Sequence, residues 1–118
     1  MKIERGDILI VDLGRTTNTS IQSGIRPVVV ISNDKANTYS TILTVVPLTS
    51  KIHKKRYLPT HIFLGYADAS GIGKCSLVLG EQVTSIDVSS VLEKRGKVKP
   101  EALKKIIRAV EIQIGSIL

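Results

Sequence analysis

A chain of 118 residues carrying 17 Lys and Arg against 10 Asp and Glu has a formal charge of +7. It is long enough for one domain with its own core, and basic enough to favour a polyanionic partner. A single cysteine, Cys75, excludes an internal disulfide and fits a reducing compartment; with only two histidines, a structural zinc site is not expected. Phe63 is the only Phe and there is no Trp, which argues against a base-stacking platform. No apolar run is long enough to cross a bilayer, and Met1-Lys2-Ile3-Glu4-Arg5 leads straight into a strand-like run rather than a signal core. The expectation is one cytoplasmic domain over residues 1–118, without membrane association.

The first strand is expected at Ile8-Leu9-Ile10-Val11, between Gly6-Asp7 and Asp12-Leu13-Gly14. Residues 14–25 form a polar loop, long for a compact domain, as lids and binding loops often are. Residues 27–32 and roughly 42–48 are the second and third strands, separated by a turn region from Asn33-Asp34 to Ser40. A basic loop follows, Lys51-Ile52-His53-Lys54-Lys55-Arg56, in an interval without Asp or Glu from 35 to 67. Exposed there, Lys51, His53 and Lys54 would neutralise phosphates; the plainer alternative is a solvated loop.

Residues 59–64 read as a short strand, and 75–79 and 82–86 as two more, with Gly80-Glu81 as a bend or bulge. This spacing favours a small barrel over a parallel sheet. At the C-terminus the period changes. Pro100 and Glu101 suit a helix start, and Leu103, Ile107, Val110, Ile114 and Ile117 form one apolar stripe. The stripe is expected to cover the barrel, with a dimer contact as the alternative.

Two apolar strands carry one polar group each where the run cannot hide it: Arg26 before the second, Thr49 at the end of the third. A permanently charged fork and a hydroxyl on neighbouring strands could hold a phosphate. Read singly, Arg26 could be a surface ion pair with Asp34 or Glu81, and Thr49 a hydroxyl capping the backbone. His61 and His53 raise a two-histidine ribonuclease mechanism, although His61 in Leu58-Pro59-Thr60-His61 reads as structural.

Taken together, Arg5-Gly6-Asp7-Ile8, Asp12-Leu13-Gly14, Gly24 through Asp34, Val46-Pro47-Leu48-Thr49-Ser50, Leu58-Pro59-Thr60-His61 and Glu81 through Asp87 resemble, in order and spacing, the MazF/PemK toxin family. The resemblance covers residues 5 to about 87. It implies a mainly β fold with a C-terminal α-helix, a small SH3-like (CcdB/PemK-type) barrel, assembled as a homodimer. It implies the toxin of a type II toxin–antitoxin system, an endoribonuclease that cuts single-stranded RNA, mRNA included, at short motifs. The cognate antitoxin (MazE-like) would occupy the RNA groove with a disordered acidic tail. The family's catalytic pair falls on Arg26 and Thr49, its groove-flanking loop on 14–25, and a residue lining its RNA site on Gln82. Asn18, Thr19, Ser20, Gln22 and Gln82 are the candidate readers of unstacked bases. The chain departs from the family in the glycine-rich 65–74 loop and the basic 51–57 stretch, which bear on the cleavage motif.

No carboxylate cluster or His/Cys spacing suggests a metal, and no cofactor is expected. RNA supplies its own nucleophile, the 2′-hydroxyl, so the expected products end in a 2′,3′-cyclic phosphate and a 5′-hydroxyl. Two alternatives stay open: a non-cleaving toxin of the same barrel class acting on topoisomerase, and a non-catalytic RNA-binding SH3-like module.

Overall fold

The computed structural model describes residues 1–15, 19–52 and 58–117. Seven strands and two helices follow one another as β1 (Asp7–Asp12), β2 (Ile25–Val30), α1 (Asp34–Tyr39), β3 (Ile42–Thr49), β4 (His61–Leu64), β5 (Ser76–Leu79), β6 (Thr84–Asp87), β7 (Val91–Lys97) and α2 (Pro100–Ile114). Every strand pair is antiparallel, in the order β4-β5-β3-β2-β1-β7, with β6 branching off β3.

The apolar runs become strands because both faces of the sheet are buried, so alternate residues enter different cores. Ile8, Val29, Val46, Leu48 and Val78 point to a core closed by Ala102 and Ile106 of α2. Their neighbours Leu9, Val11, Val28, Val30 and Val45 point to a second core with Leu43 and Ile86. β3 is the hub. Val45 pairs with Val30 of β2 and with Thr84 of β6, while Leu48 and Thr49 pair with Val78 and Leu77 of β5.

The sheet curls towards a barrel but does not close by strand pairing. Among the described residues its ends are joined by one bridge, Ala69 to Val98, flanked by Ser70 N–H to the Lys97 carbonyl at 2.9 Å and Lys99 N–H to the Asp68 carbonyl at 2.8 Å. The glycine-rich stretch makes this seam possible. A Cβ on Gly96 would run into the Ser70 carbonyl, and Gly71, at φ +75°, would run into the Arg95 carbonyl.

Two elements differ from the sequence pattern. The turn region contains α1, capped by the Asn33 side chain, which accepts the Ala36 N–H at 2.8 Å. Residues 91–97, where the pattern marked no element, form the edge strand β7 with mostly exposed, charged side chains.

The helix α2 starts at Pro100 and ends at Gly115, whose left-handed φ of +78° lets its N–H reach back to the last turn. It covers the first core with only part of the stripe that periodicity marks, Leu103 and Val110, and with a more deeply buried row beside it. Ala102, Ile106 and Ala109 are its buried residues, Leu103 and Val110 flank them, and Ile114 is 67% exposed. The reason is close approach: a Cβ on Gly80 would stand 3.0 Å from the Ala109 Cβ, so small residues bring the helix onto the barrel. The helix therefore seats the 3₁₀ turn Gly80–Gln82, on which the site depends.

Because the seam is a backbone-on-backbone crossing, Gly96→Ala is expected to destabilise the fold by about 1–3 kcal/mol through overpacking. A urea-denaturation midpoint close to that of the unsubstituted protein would contradict this account of the seam.

Candidate active site

Arg26 and Thr49 come together by strand register. The β2–β3 pairs are Val28 with Pro47, Val29 with Val46 and Val30 with Val45. Continued two residues further, the same register sets Arg26 opposite Thr49. Both side chains line the same two hollows. One, of about 300 Å³, also involves Thr19, Ser20, Gln22, Ser23 and Lys51. The other, of about 250 Å³, also involves Gly71, Gly73, Lys74, Ser76 and Arg95.

Thr49 is buried at 6% exposure, and its hydroxyl oxygen accepts the Lys51 N–H at 3.2 Å. That bond orients the oxygen and leaves the hydroxyl proton free to donate. Arg26 is exposed, and its Nε donates to the Ser23 carbonyl at 2.9 Å. One edge of the guanidinium is thereby fixed, while the terminal nitrogens carry the remaining donors.

The ion pairs considered for Arg26 do not form. Asp34 accepts the Arg5 N–H at 2.7 Å, and Glu81 lies 2.6 Å from His61. Arg95 is a contrast. It grips Glu93 through Nε at 3.0 Å and Nη2 at 3.2 Å. That hydrogen bond, reinforced by Arg95's charge, holds the exposed Glu93 carboxyl below its ordinary pKa and raises Arg95's. Arg26 is the guanidinium of this cavity with no carboxylate on it among the described residues.

A larger hollow of about 780 Å³ lies on the other side of Gln22. Asp12, Glu81 and Asp87 line it, with no Lys or Arg among its described lining. Asp87 is held below its ordinary pKa by hydrogen bonds from Ser89, first its backbone N–H and then its hydroxyl. The carboxylates give this hollow an acidic lining, in contrast to the Arg26 side.

Among the expected base readers, Ser20, Gln22 and Thr19 surround the 300 Å³ hollow, where Thr19 Oγ1 accepts the Ile21 N–H at 3.2 Å. Gln82 holds the loop itself: its Oε1 accepts the Gln22 N–H at 2.7 Å and its Nε2 donates to the Ser20 carbonyl at 2.9 Å. Of the basic stretch, Lys51 lines the site. Asn18, His53 and Lys54 lie outside the described residues.

His61 is not at the site. Its side chain is 1% exposed, pairs with Glu81, and leaves Nδ1 buried without a partner among the described residues. The Thr60 hydroxyl also donates to Glu81, at 3.3 Å, and the Gly80 N–H donates to the Thr60 carbonyl at 2.8 Å. Together these bonds lash the Gly80–Gln82 turn to the start of β4. Lys74, Ser76 and Arg95 were missed by sequence reasoning because no local motif ties β5 and β7 to Arg26. Among the described residues, no three His, Cys, Asp or Glu side chains gather to hold a metal ion.

Removing Glu81 would leave the His61 Nε2 buried and unpaired. Glu81→Ala is therefore expected to cost about 1–3 kcal/mol of stability. Chemical denaturation checks this; an unchanged midpoint would mean that the pair does not hold the turn.

Residues 4–114 match the family model described as PemK-like, MazF-like toxin of type II toxin-antitoxin system. The chain is 33% identical over 113 residues to the Endoribonuclease MazF of Staphylococcus saprophyticus, covering 96% of this chain and 92% of that protein. Its fold is similar to the crystal structure of MazF from Deinococcus radiodurans, with a TM-score of 0.79 at 19% identity over 98% of each chain. It is also similar to an endoribonuclease solved in complex with its cognate antitoxin from a mycobacterial species, with a TM-score of 0.73 at 22% identity, covering 97% of this chain and 94% of that one. The antiparallel sheet, the C-terminal helix and the matched span agree: the chain belongs to the PemK-like, MazF-like toxins of type II toxin–antitoxin systems, a family of endoribonucleases.

Proposed function

We propose that the chain cuts single-stranded RNA, mRNA among it, at short sequence motifs and without a metal ion, and that Arg26 and Thr49 carry the reaction. The supporting observation is their convergence on the same two hollows, with Arg26 oriented by Ser23 and unpaired with any carboxylate among the described residues. The 2′-oxygen of the nucleotide at the cut attacks the adjacent phosphorus. The O2′–P bond forms as the P–O5′ bond breaks. The 2′-hydroxyl proton passes to water, and water protonates the departing 5′-oxygen. The products are a 2′,3′-cyclic phosphate and a 5′-hydroxyl.

The terminal nitrogens of Arg26 donate to the non-bridging oxygens, whose charge rises as the phosphorane forms, and the Thr49 hydroxyl adds a further donor. Donors fixed in advance contribute about 3 kcal/mol each, roughly a hundredfold in rate. Arg26 stabilises charge rather than trading protons, because a guanidinium stays protonated. Thr19, Ser20, Gln22 and Asn18 contact bases, Lys51, His53 and Lys54 attract the backbone, and the acidic hollow keeps phosphates on the Arg26 side.

The working unit is a cytoplasmic homodimer, held in check by an antitoxin whose acidic tail competes for the same basic groove. Relatives solved as MazE–MazF complexes support the antitoxin. No helix is long and apolar enough to cross a membrane among the described residues.

The test is a long single-stranded RNA incubated in EDTA with the protein and with Arg26→Ala and Thr49→Val. The unsubstituted protein is expected to yield discrete fragments ending in cyclic phosphate. Arg26→Ala is expected to be at least about a hundredfold slower, with an unchanged melting temperature. An Arg26→Ala protein that cuts normally would place the reaction elsewhere. Absence of cleavage across a broad RNA set would favour the topoisomerase-directed or purely RNA-binding reading.

A further inference from the structure

We infer that Gln82 is a positioning residue for Arg26, acting through residues 20–23 of the loop between β1 and β2 rather than by reading RNA bases. The inference rests on the proposed role of Arg26 at the phosphate.

Each end of the Gln82 amide makes one hydrogen bond to the loop backbone. Its carbonyl end takes the Gln22 N–H at 2.7 Å, and its amino end gives to the Ser20 carbonyl at 2.9 Å. Donor meets acceptor at both ends, which fixes the orientation of the amide. The partners are 60 and 62 residues away in sequence, so the bond pair ties the loop to the barrel. One residue beyond Gln22, the Ser23 carbonyl holds Arg26 Nε at 2.9 Å. The path is contiguous: turn, clamp, loop carbonyl, guanidinium.

The clamp stands on a firm base. The Gly80–Gln82 turn is tied to β4 by the 2.6 Å His61–Glu81 contact and by the Gly80 N–H on the Thr60 carbonyl at 2.8 Å. It is also packed beneath Ala109 of α2. The loop segment has less anchorage: Ser20 and Ile21 are exposed, Ile21 at 61%, and the next tie to the barrel comes after Ser23, where the Gly24 N–H gives to the Gly14 carbonyl at 2.6 Å. Without the clamp, residues 20–22 lose their tie to the barrel and the Ser23 carbonyl is held from the Gly24 side alone, so the acceptor that sets the plane of Arg26's fork is less firmly placed. Misplacing a reacting group by about 1 Å costs on the order of a hundredfold in rate.

A base reader and a positioning residue make different kinetic signatures. Single-turnover cleavage is measured with Gln82→Ala and Gln82→Glu on a randomised RNA pool and on one defined substrate. Gln82→Glu keeps an acceptor for Gln22 but opposes a carboxylate to the Ser20 carbonyl, so it also opens the clamp while preserving size. The maximal rate is expected to fall about ten- to a hundredfold in both variants, with KM within twofold and the cleavage motif unchanged. In an Arg26→Lys background, which lacks the Nε that meets Ser23, Gln82→Ala is expected to slow the residual rate by less than about twofold. A changed base preference at one position of the motif, or a raised KM at an unchanged rate, would overturn the inference in favour of direct RNA contact. So would a full additive loss in the Arg26→Lys background. Thermal melting accompanies each variant; should Gln82→Ala not fold, Gln82→Glu carries the same readouts. Wild-type rates in both Gln82 variants, beside an inactive Arg26→Ala, would sink this inference alone. A normally active Arg26→Ala would sink the reading beneath it.

Discussion

The register of β3 is the constraint on which the rest of the structure depends. This one strand pairs with β2, β5 and β6, and its residues alternate between two cores. A slip of one residue would exchange the sets Val46/Leu48 and Leu43/Val45 between those cores and turn Thr49 away from Arg26. The placing of Arg26 beside Thr49 is thus enforced by hydrophobic packing on both faces. The two polar groups need no direct contact with each other; they are brought together because the aliphatic residues beside them have only one good arrangement.

Charge is arranged around that pair as carefully as bulk. The carboxylates near the site all have structural work. Asp34 caps the Arg5 N–H, Glu81 meets His61, Asp87 holds the Ser89 turn, and Glu93 takes Arg95. Arg26 is left with a carbonyl on its Nε and its terminal donors unspent on any of these acids. A chain of formal charge +7 also sets a positive background that favours a polyanion, while the hollow beside the site is lined by carboxylates.

Much of this was legible in the sequence. The aliphatic runs at 8–11, 27–32 and 42–48 marked the central strands because burial on both faces demands unbroken apolar sequence. Arg26 and Thr49 stood out as polar ends of such runs, and the ordered motifs tied them to a family. The edge strand β7 did not show, because Glu93, Lys94, Arg95 and Lys97 project mainly to solvent and leave no apolar alternation. The six-residue α1 is too short to display a helical stripe, though Asn33-Asp34 carried its capping signal. On α2 the large aliphatics drew the eye while Ala102 and Ala109 made the close contact. The hold of Gln82 on Ser20 and Gln22 was beyond local pattern altogether, since it joins residues about sixty positions apart through backbone groups that every sequence has.

The central claim is that RNA provides the nucleophile and the protein provides fixed charge. The most direct measurement replaces one ribose at a mapped cleavage position by its 2′-deoxy counterpart, in an oligonucleotide otherwise unchanged. The account predicts that binding persists and that cleavage at that position disappears. Cutting of the 2′-deoxy bond at a rate close to that of the ribose bond would contradict it, because the attacking oxygen would then have to come from somewhere other than the substrate.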